Sequence, residues 1–230
     1  MIARALSGPS LDVVQRRARL SEGTSSQAIY RMVAGALASR SVHDATLVDI
    51  GCGRGDLIEH VRPFISRYVG VDAVRYDALP QDVEFVQADA DHSDGLTRLA
   101  AAADVVVAVE TIEHLENPRT LVRQMSSIVR PGGWIIVTTP NQLSLLSLLS
   151  LVVKGQFSHF QDAHYPAHLT ALLPVDLRRL ASEVQLADVS IEYSFSGRIA
   201  LTPFQYPAAI ARVFPRRCSD NVMLVGRRVA

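Results

Sequence analysis

The stretch Leu47-Val48-Asp49-Ile50-Gly51-Cys52-Gly53-Arg54-Gly55 decides the fold. An apolar run at 46–50 reads as a buried strand, three glycines then alternate with Cys52 and Arg54, and a helix-compatible run follows at 55–62. Glycines let a chain turn tightly and let a ligand approach its amides. A helix opening beyond them offers unpaired N–H groups to a phosphate or a carboxylate. Spacing narrows the ligand. A dinucleotide fingerprint, Gly-x-Gly-x-x-Gly, would put its third glycine at position 56, which is Asp56. A phosphate loop would end in Gly-Lys-Ser/Thr, which is absent here. Taken alone, the glycines also describe a plain strand-to-helix turn.

Outward from this turn, strand-like runs recur at 67–71, 83–86, 104–109 and 134–138, with helical patterns at 95–102 and 118–129 between them. Pro131-Gly132-Gly133 stops the last helix. Alternating strands and helices with near-continuous apolar strands predict an α/β fold: a mostly parallel sheet with helices on both faces. After Pro140 the rhythm changes. A helix is expected at 174–184, with Pro174 suited to a first turn, and strand-like runs at 189–195 and 221–227. The 230 residues suit one domain: a helical cap over the carboxyl edge of the sheet (1–40), a core (41–141), a variable lid or acceptor insert (142–173), and a C-terminal helix with strands (174–230).

Composition excludes several classes. Lys+Arg and Asp+Glu are equal at 23 each, without the basic excess of a nucleic-acid binder. The clusters Arg16-Arg17-Arg19 and Arg216-Arg217 read as solvated faces. Two cysteines, Cys52 and Cys218, make neither a disulfide framework nor a metal site and suit a reducing, cytoplasmic setting. No apolar run reaches the roughly 20 residues of a membrane span, and no signal peptide stands out.

Residues with chemistry follow the strands. Asp72, after the second strand, lies where an acid in an open α/β sheet accepts bonds from ribose hydroxyls, though Asp is also a good helix N-cap. Phe85-Val86-Gln87-Ala88-Asp89-Ala90 places polar groups past the third strand, within reach of an adenine amino group. Glu110, Glu113 and His114 fall just past the fourth.

In this order the segments DIGCGRG, VGVD, QADA, VVVAVETIEHL and RPGGWIIVTTPN closely resemble the class I S-adenosylmethionine (SAM) dependent methyltransferases, over roughly residues 40–141. They look most like the branch with ubiquinone-type, sugar and natural-product O-methyltransferases. The resemblance implies a Rossmann-like, seven-stranded sheet with an antiparallel last strand. It implies SAM as cofactor and S-adenosylhomocysteine as product. Asp49, Gly51, Cys52 and Gly53 would contact the methionine part, Asp72 and Ala73 the ribose, Asp89 and Ala90 the adenine, and Glu110 would border the sulfonium. The implied activity is methyl transfer to a hydroxyl or amine of a small molecule such as a sugar or a secondary metabolite. A SAM-binding scaffold without turnover and a nicotinamide-dependent oxidoreductase are the alternatives.

A hydroxyl or ammonium acceptor must lose a proton, and histidine is the natural base. His114 is the first candidate; it could equally be structural, capping the turn before Pro118. His164 and His168 come next, as acceptor contacts or packed insert histidines; Pro166 between them disfavours a metal-binding helix, and no metal is expected. Cys52 reads as a packed thiol. In 143–153, Ser144, Ser147 and Ser150 form a stripe on an otherwise apolar helix. Either it is a lid over an apolar acceptor or lipid-linked substrate, with contact to a membrane surface, or it is buried against the domain or in a homodimer. With Lys154 alone nearby, burial is favoured.

Overall fold

The computed structural model describes residues 15, 16, 19, 21–92, 96 and 99–229. Arg17, residues 95, 97 and 98 of the helix expected at 95–102 and the first part of the 1–40 segment lie outside them.

Seven strands form one sheet: β1 (Ala45–Ile50), β2 (Ile65–Asp72), β3 (Glu84–Gln87), β4 (Ala103–Ala108), β5 (Val129–Pro140), β6 (Leu186–Tyr193) and β7 (Asn221–Arg228). The order is β3-β2-β1-β4-β5-β7-β6. Strands β1 to β5 pair in parallel, and β7 runs antiparallel to both β5 and β6. This is the mostly parallel sheet with a reversed last strand that the sequence predicts. From β1 the chain builds toward one edge and from β4 toward the other, so a crevice opens at the carboxyl ends of these two neighbours.

Alternate side chains of each strand point to opposite faces, and each face carries a core. On one side Leu47, Val105, Val107, Ile136, Met223 and Val225 pack under α1 (Gln27–Ser39) and α2 (Leu57–Val61). Helix α1 presents Ile29, Tyr30, Val33, Ala36 and Leu37, the spacing of one helical face. On the other side Val48, Ile50, Val106, Ile135, Val137 and Leu224 pack under α3 (Pro118–Ile128) and a later helix, Pro174–Glu183. Asn117 caps α3 by accepting from Thr120 N. Of the 1–40 segment, α1 thus covers a sheet face, while residues 21–27 run along the carboxyl edge.

Two local readings change. Val129, expected as the last residue of α3, is extended and pairs with Ala103, so β5 begins there and runs through Pro131-Gly132-Gly133 with a break in register; proline disfavours helical backbone in the residue before it. Helix α4 (Leu145–Lys154) does not bury its apolar side against the domain. Ser144, Ser147 and Ser150 are buried, whereas Leu145, Leu149, Leu151, Val152 and Val153 are exposed. The remaining helices are α5 (Pro174–Glu183), α6 (Ala208–Val213) and α7 (Pro215–Cys218). Among the described residues, no helix is long and apolar enough to cross a membrane.

Candidate active site

A cavity of about 790 Å³ opens at the carboxyl ends of β1, β2 and β4, within the roughly 300–1,000 Å³ range of small-molecule sites. Of the residues singled out from sequence, Asp49, Gly51, Cys52, Asp72, Ala73, Asp89, Ala90, Glu110, His114, His164 and His168 all line it. Gly53 lies one layer behind, and its N–H donates to Asp72 Oδ2 at 3.0 Å.

The glycine turn closes on itself before any ligand is considered. Gly51 has φ 78°, and a Cβ there would run into the Thr111 side chain; one on Gly53 would run into the Gly23 carbonyl. These glycines are therefore needed for packing as well as for close approach. The Cys52 thiol packs with Ile58 and Leu79, and burial pushes it well above the usual thiol range. It stays protonated and is no nucleophile.

Three carboxylates line the same half. Asp49 is 2% exposed. Its Oδ2 accepts from Tyr68 OH at 2.6 Å, and its Oδ1 has no partner among the described residues. Burial raises it to about 7, with the Asp72 charge adding and the Tyr68 bond opposing. Asp72 also accepts from Val74 N at 3.1 Å; burial raises its pKa while backbone N–H groups oppose. Asp89 accepts from Asp91 N at 3.0 Å and pairs with His92 Nδ1 at 2.8 Å.

The opposite half is built from the turn after β4 and from residues 159–168. Glu110 sits at φ 48°. Its oxygens accept from Thr138 Oγ1 at 2.9 Å and Asn221 Nδ2 at 2.8 Å, and burial, then the nearby Glu113, hold its pKa well up. Glu113 is 0% exposed. Neither carboxyl oxygen makes a hydrogen bond of good geometry among the described residues; burial raises its pKa to about 8, opposed by its own backbone N–H and by the Thr139 hydroxyl nearby. His114 Nδ1 lies 2.8 Å from the Ala167 carbonyl. A carbonyl only accepts, so Nδ1 carries the proton and Nε2 keeps its lone pair in the neutral ring. By the same logic His168 Nδ1 donates to His159 O at 2.6 Å; burial, then the His114 charge, lower His168 to about 4. The rings of His114 and His168 meet edge to face at 4.8 Å, and His164 stacks on His168 at 5.6 Å. One ligand atom each of Glu113, His114 and His168 lies within 4.8 Å of the others, near enough to share a cation. The grouping is not the His164–His168 pair of the sequence but joins His168 to Glu113 and His114, and the nearby Asp162 accepts from Gln156 at 2.8 Å.

Sequence reasoning placed Glu113 beside the site without a role, and it missed Tyr68, Asp91, Thr138, His159 and Asn221. Asp91 accepts from Glu116 N and Asn117 N, tying the loop after β3 to the turn after β4. Asn221 had a usable signal: it opens a reversed strand, and so begins at the carboxyl edge where the parallel strands end. His159 is lowered to about 4 by burial, which nothing in its local sequence foretells.

Comparison with known proteins fits this geometry. A family model described as a methyltransferase domain matches residues 16–191. The chain is 26% identical over 157 residues to a ubiquinone biosynthesis O-methyltransferase of Chromobacterium violaceum, with 64% of this chain covered. It spans just under two thirds (66%) of that relative's own length. Its fold is similar to that of a SAM dependent methyltransferase from Archaeoglobus fulgidus (TM-score 0.60, 19% identity, 96% and 100% of the two chains). It is likewise similar to that of the 1,6-didemethyltoxoflavin-N1-methyltransferase of Burkholderia thailandensis, solved with S-adenosylhomocysteine and its acceptor (TM-score 0.64, 15% identity, 100% and 94%). The chain therefore belongs to the methyltransferase domain family, and its fold is that of SAM-dependent methyltransferases.

Proposed function

We propose that this protein moves a methyl group from SAM to a hydroxyl, or an amine, of a small molecule held against the histidine half of the cavity. One observation carries the reading: the acid-lined half and the Glu113–His114–His168 half share one cavity. The acid-lined half fits the cofactor. The buried, unpartnered Asp49 Oδ1 suits an ammonium group, Asp72 suits a ribose diol, and Ala90 with Asp89 suits the adenine. Position 56, where a dinucleotide turn needs glycine, holds Asp56, which accepts from Thr24 at 2.7 Å.

Bound SAM supplies an already activated methyl group on its sulfonium. What remains for the protein is positioning, exclusion of water and removal of one proton. Residues 159–168 screen the acceptor half. The His114 Nε2 lone pair, fixed by the bond from Nδ1 to Ala167 O, takes the proton from the acceptor atom. The O-methylating relative favours a hydroxyl.

Isothermal titration with S-adenosylhomocysteine, with NADH as control, tests the cofactor half. Binding of the first alone supports the reading; binding of NADH instead, or of neither, overturns it. Radiolabelled methyl transfer to a panel of phenols, sugars and amines then identifies the acceptor class.

A further inference from the structure

We propose that α4 and the segment 195–218 together seat this protein on the surface of an anionic phospholipid bilayer. The first observation is the inversion of α4. Its serines face inward and are fully engaged: Ser144 Oγ accepts from Ser147 N, Ser147 Oγ donates to Gln142, and Ser150 Oγ donates to Gln156 O at 2.8 Å. Its aliphatic side chains face out, with Val152 83% and Val153 72% exposed. Ordinary surface helices of soluble domains do the reverse. A helix built this way matches an apolar environment outside the domain.

The second observation is independent. In 195–218 Leu201 is 95% exposed and Phe204 70%, with Val213 and Phe214 also exposed. That segment carries Arg198, Arg212, Arg216 and Arg217 and not one Asp or Glu. Residues 141–161 are equally free of acids and carry Lys154. The two stretches thus hold five cations, with acids only at their margins, where Asp162 accepts from Gln156 and Asp220 from Arg198 N, in a chain whose formal net charge is zero. They also meet in space: Arg217 Nη1 donates to Leu143 O at 3.0 Å, and Asn141 Nδ2 donates to Arg216 O at 2.8 Å.

Exposed Phe, Leu and Val beside an excess of arginines is the chemistry of an interfacial membrane anchor: apolar groups enter the headgroup boundary while cations meet anionic lipid. A second copy of the chain is a poorer occupant, because a two-fold contact would set the same cations against each other. Ser196 and Gln205 of the segment line the cavity, so docking would hold its mouth at the membrane. The inference stands apart from the methyl-transfer reading, and its test needs neither SAM nor turnover.

The test is co-sedimentation of the full chain with vesicles of phosphatidylcholine alone or mixed with phosphatidylglycerol. The expected result is binding to the mixed vesicles, at least about tenfold weaker to the neutral ones and weakened by salt. Val152→Asp, Leu201→Asp and Phe204→Asp should each reduce binding about tenfold or more with an unchanged melting temperature, since all three side chains are exposed. Two results would overturn the proposal: wild-type protein that stays in solution with the anionic vesicles, or Asp variants that sediment as the wild type does. So would a concentration-dependent dimer, seen by sedimentation velocity and abolished by Val152→Asp, in a protein that ignores vesicles; that would give the face to a second copy.

Discussion

The two halves of the cavity are built on opposite principles. On the acid-lined half, Asp72 and Asp89 are already held by backbone N–H groups of Gly53, Val74 and Asp91, so their positions are set before a ligand arrives, and only Asp49 Oδ1 is left buried without a partner among the described residues. On the histidine half, among the described residues, Glu113 makes no hydrogen bond of good geometry through either oxygen, His164 Nδ1 is buried without a partner, and His159 and His168 are driven toward neutrality. Buried polar groups are normally satisfied, and unsatisfied ones gather where function overrides stability. The first half is a preformed mould. The second stores chemistry that only an acceptor completes.

The sharpest way to break this contrast is to remove one group from each half. His114→Ala should lower turnover by about 10²–10⁴-fold, the usual worth of a general base. It should leave the affinity for S-adenosylhomocysteine nearly unchanged by calorimetry. An active variant with a lower melting temperature would instead make His114 structural. Asp72→Ala should do the converse and weaken S-adenosylhomocysteine about 10–100-fold, the range for losing charge-assisted hydrogen bonds. Unchanged affinity would remove Asp72 from the ribose.

Glu113 sharpens the contrast through pH. Its pKa is raised in the folded protein to about 8 from an ordinary 4.5. An acid shifted upward favours folding while protonated in the native state, so its contribution is complete below about 4.5 and is lost as pH rises through about 8. Asp49, raised to about 7, acts in the same direction over a lower window. Below about pH 6.5 the lowered His159 and His168 oppose this trend; between about pH 6.5 and pH 8, where both are neutral folded and unfolded, ligand-free wild-type protein should lose thermal stability. Glu113→Gln, which cannot ionise, should raise Tm relative to wild type clearly at pH 8 and little at pH 5. Melting curves at the two pH values decide it; equal effects at both would mean that Glu113 is charged and compensated throughout.

What could be read from sequence follows the same division. The acid-lined half uses local signals: a glycine turn at the end of a strand, an acid at the end of the next, a polar residue after the third. Each follows from strand periodicity, so the carboxyl edge could be placed from 46–50, 67–71 and 104–109 alone. The histidine half depends on how residues 155–170 fold back over the sheet. Its key bonds, His114 to Ala167 and His168 to His159, join positions that no periodicity relates. Helix α4 misled for a similar reason. A serine stripe on an apolar rod looks like the outer face of a buried helix, until Gln142, Gln156 and Ser158 supply inward partners that only the folded chain reveals.

The smallest expected effect probes whether the acid-lined half is as self-sufficient as its backbone bonds imply. His92 lies 2.8 Å from Asp89, beside the acid-lined half, yet its side chain is 53% exposed. Exposed ion pairs contribute about 0–1 kcal/mol, and Asp89 keeps its bond from Asp91 N when the ring is removed. His92→Ala should therefore change the S-adenosylhomocysteine dissociation constant by less than about threefold. A tenfold loss would mean that Asp89 is held by its surface partner rather than by its own loop. The mould would then depend on a side chain that solvent and salt can disturb, and the distinction between a preformed half and an incomplete one would narrow to Asp72 and the glycine turn.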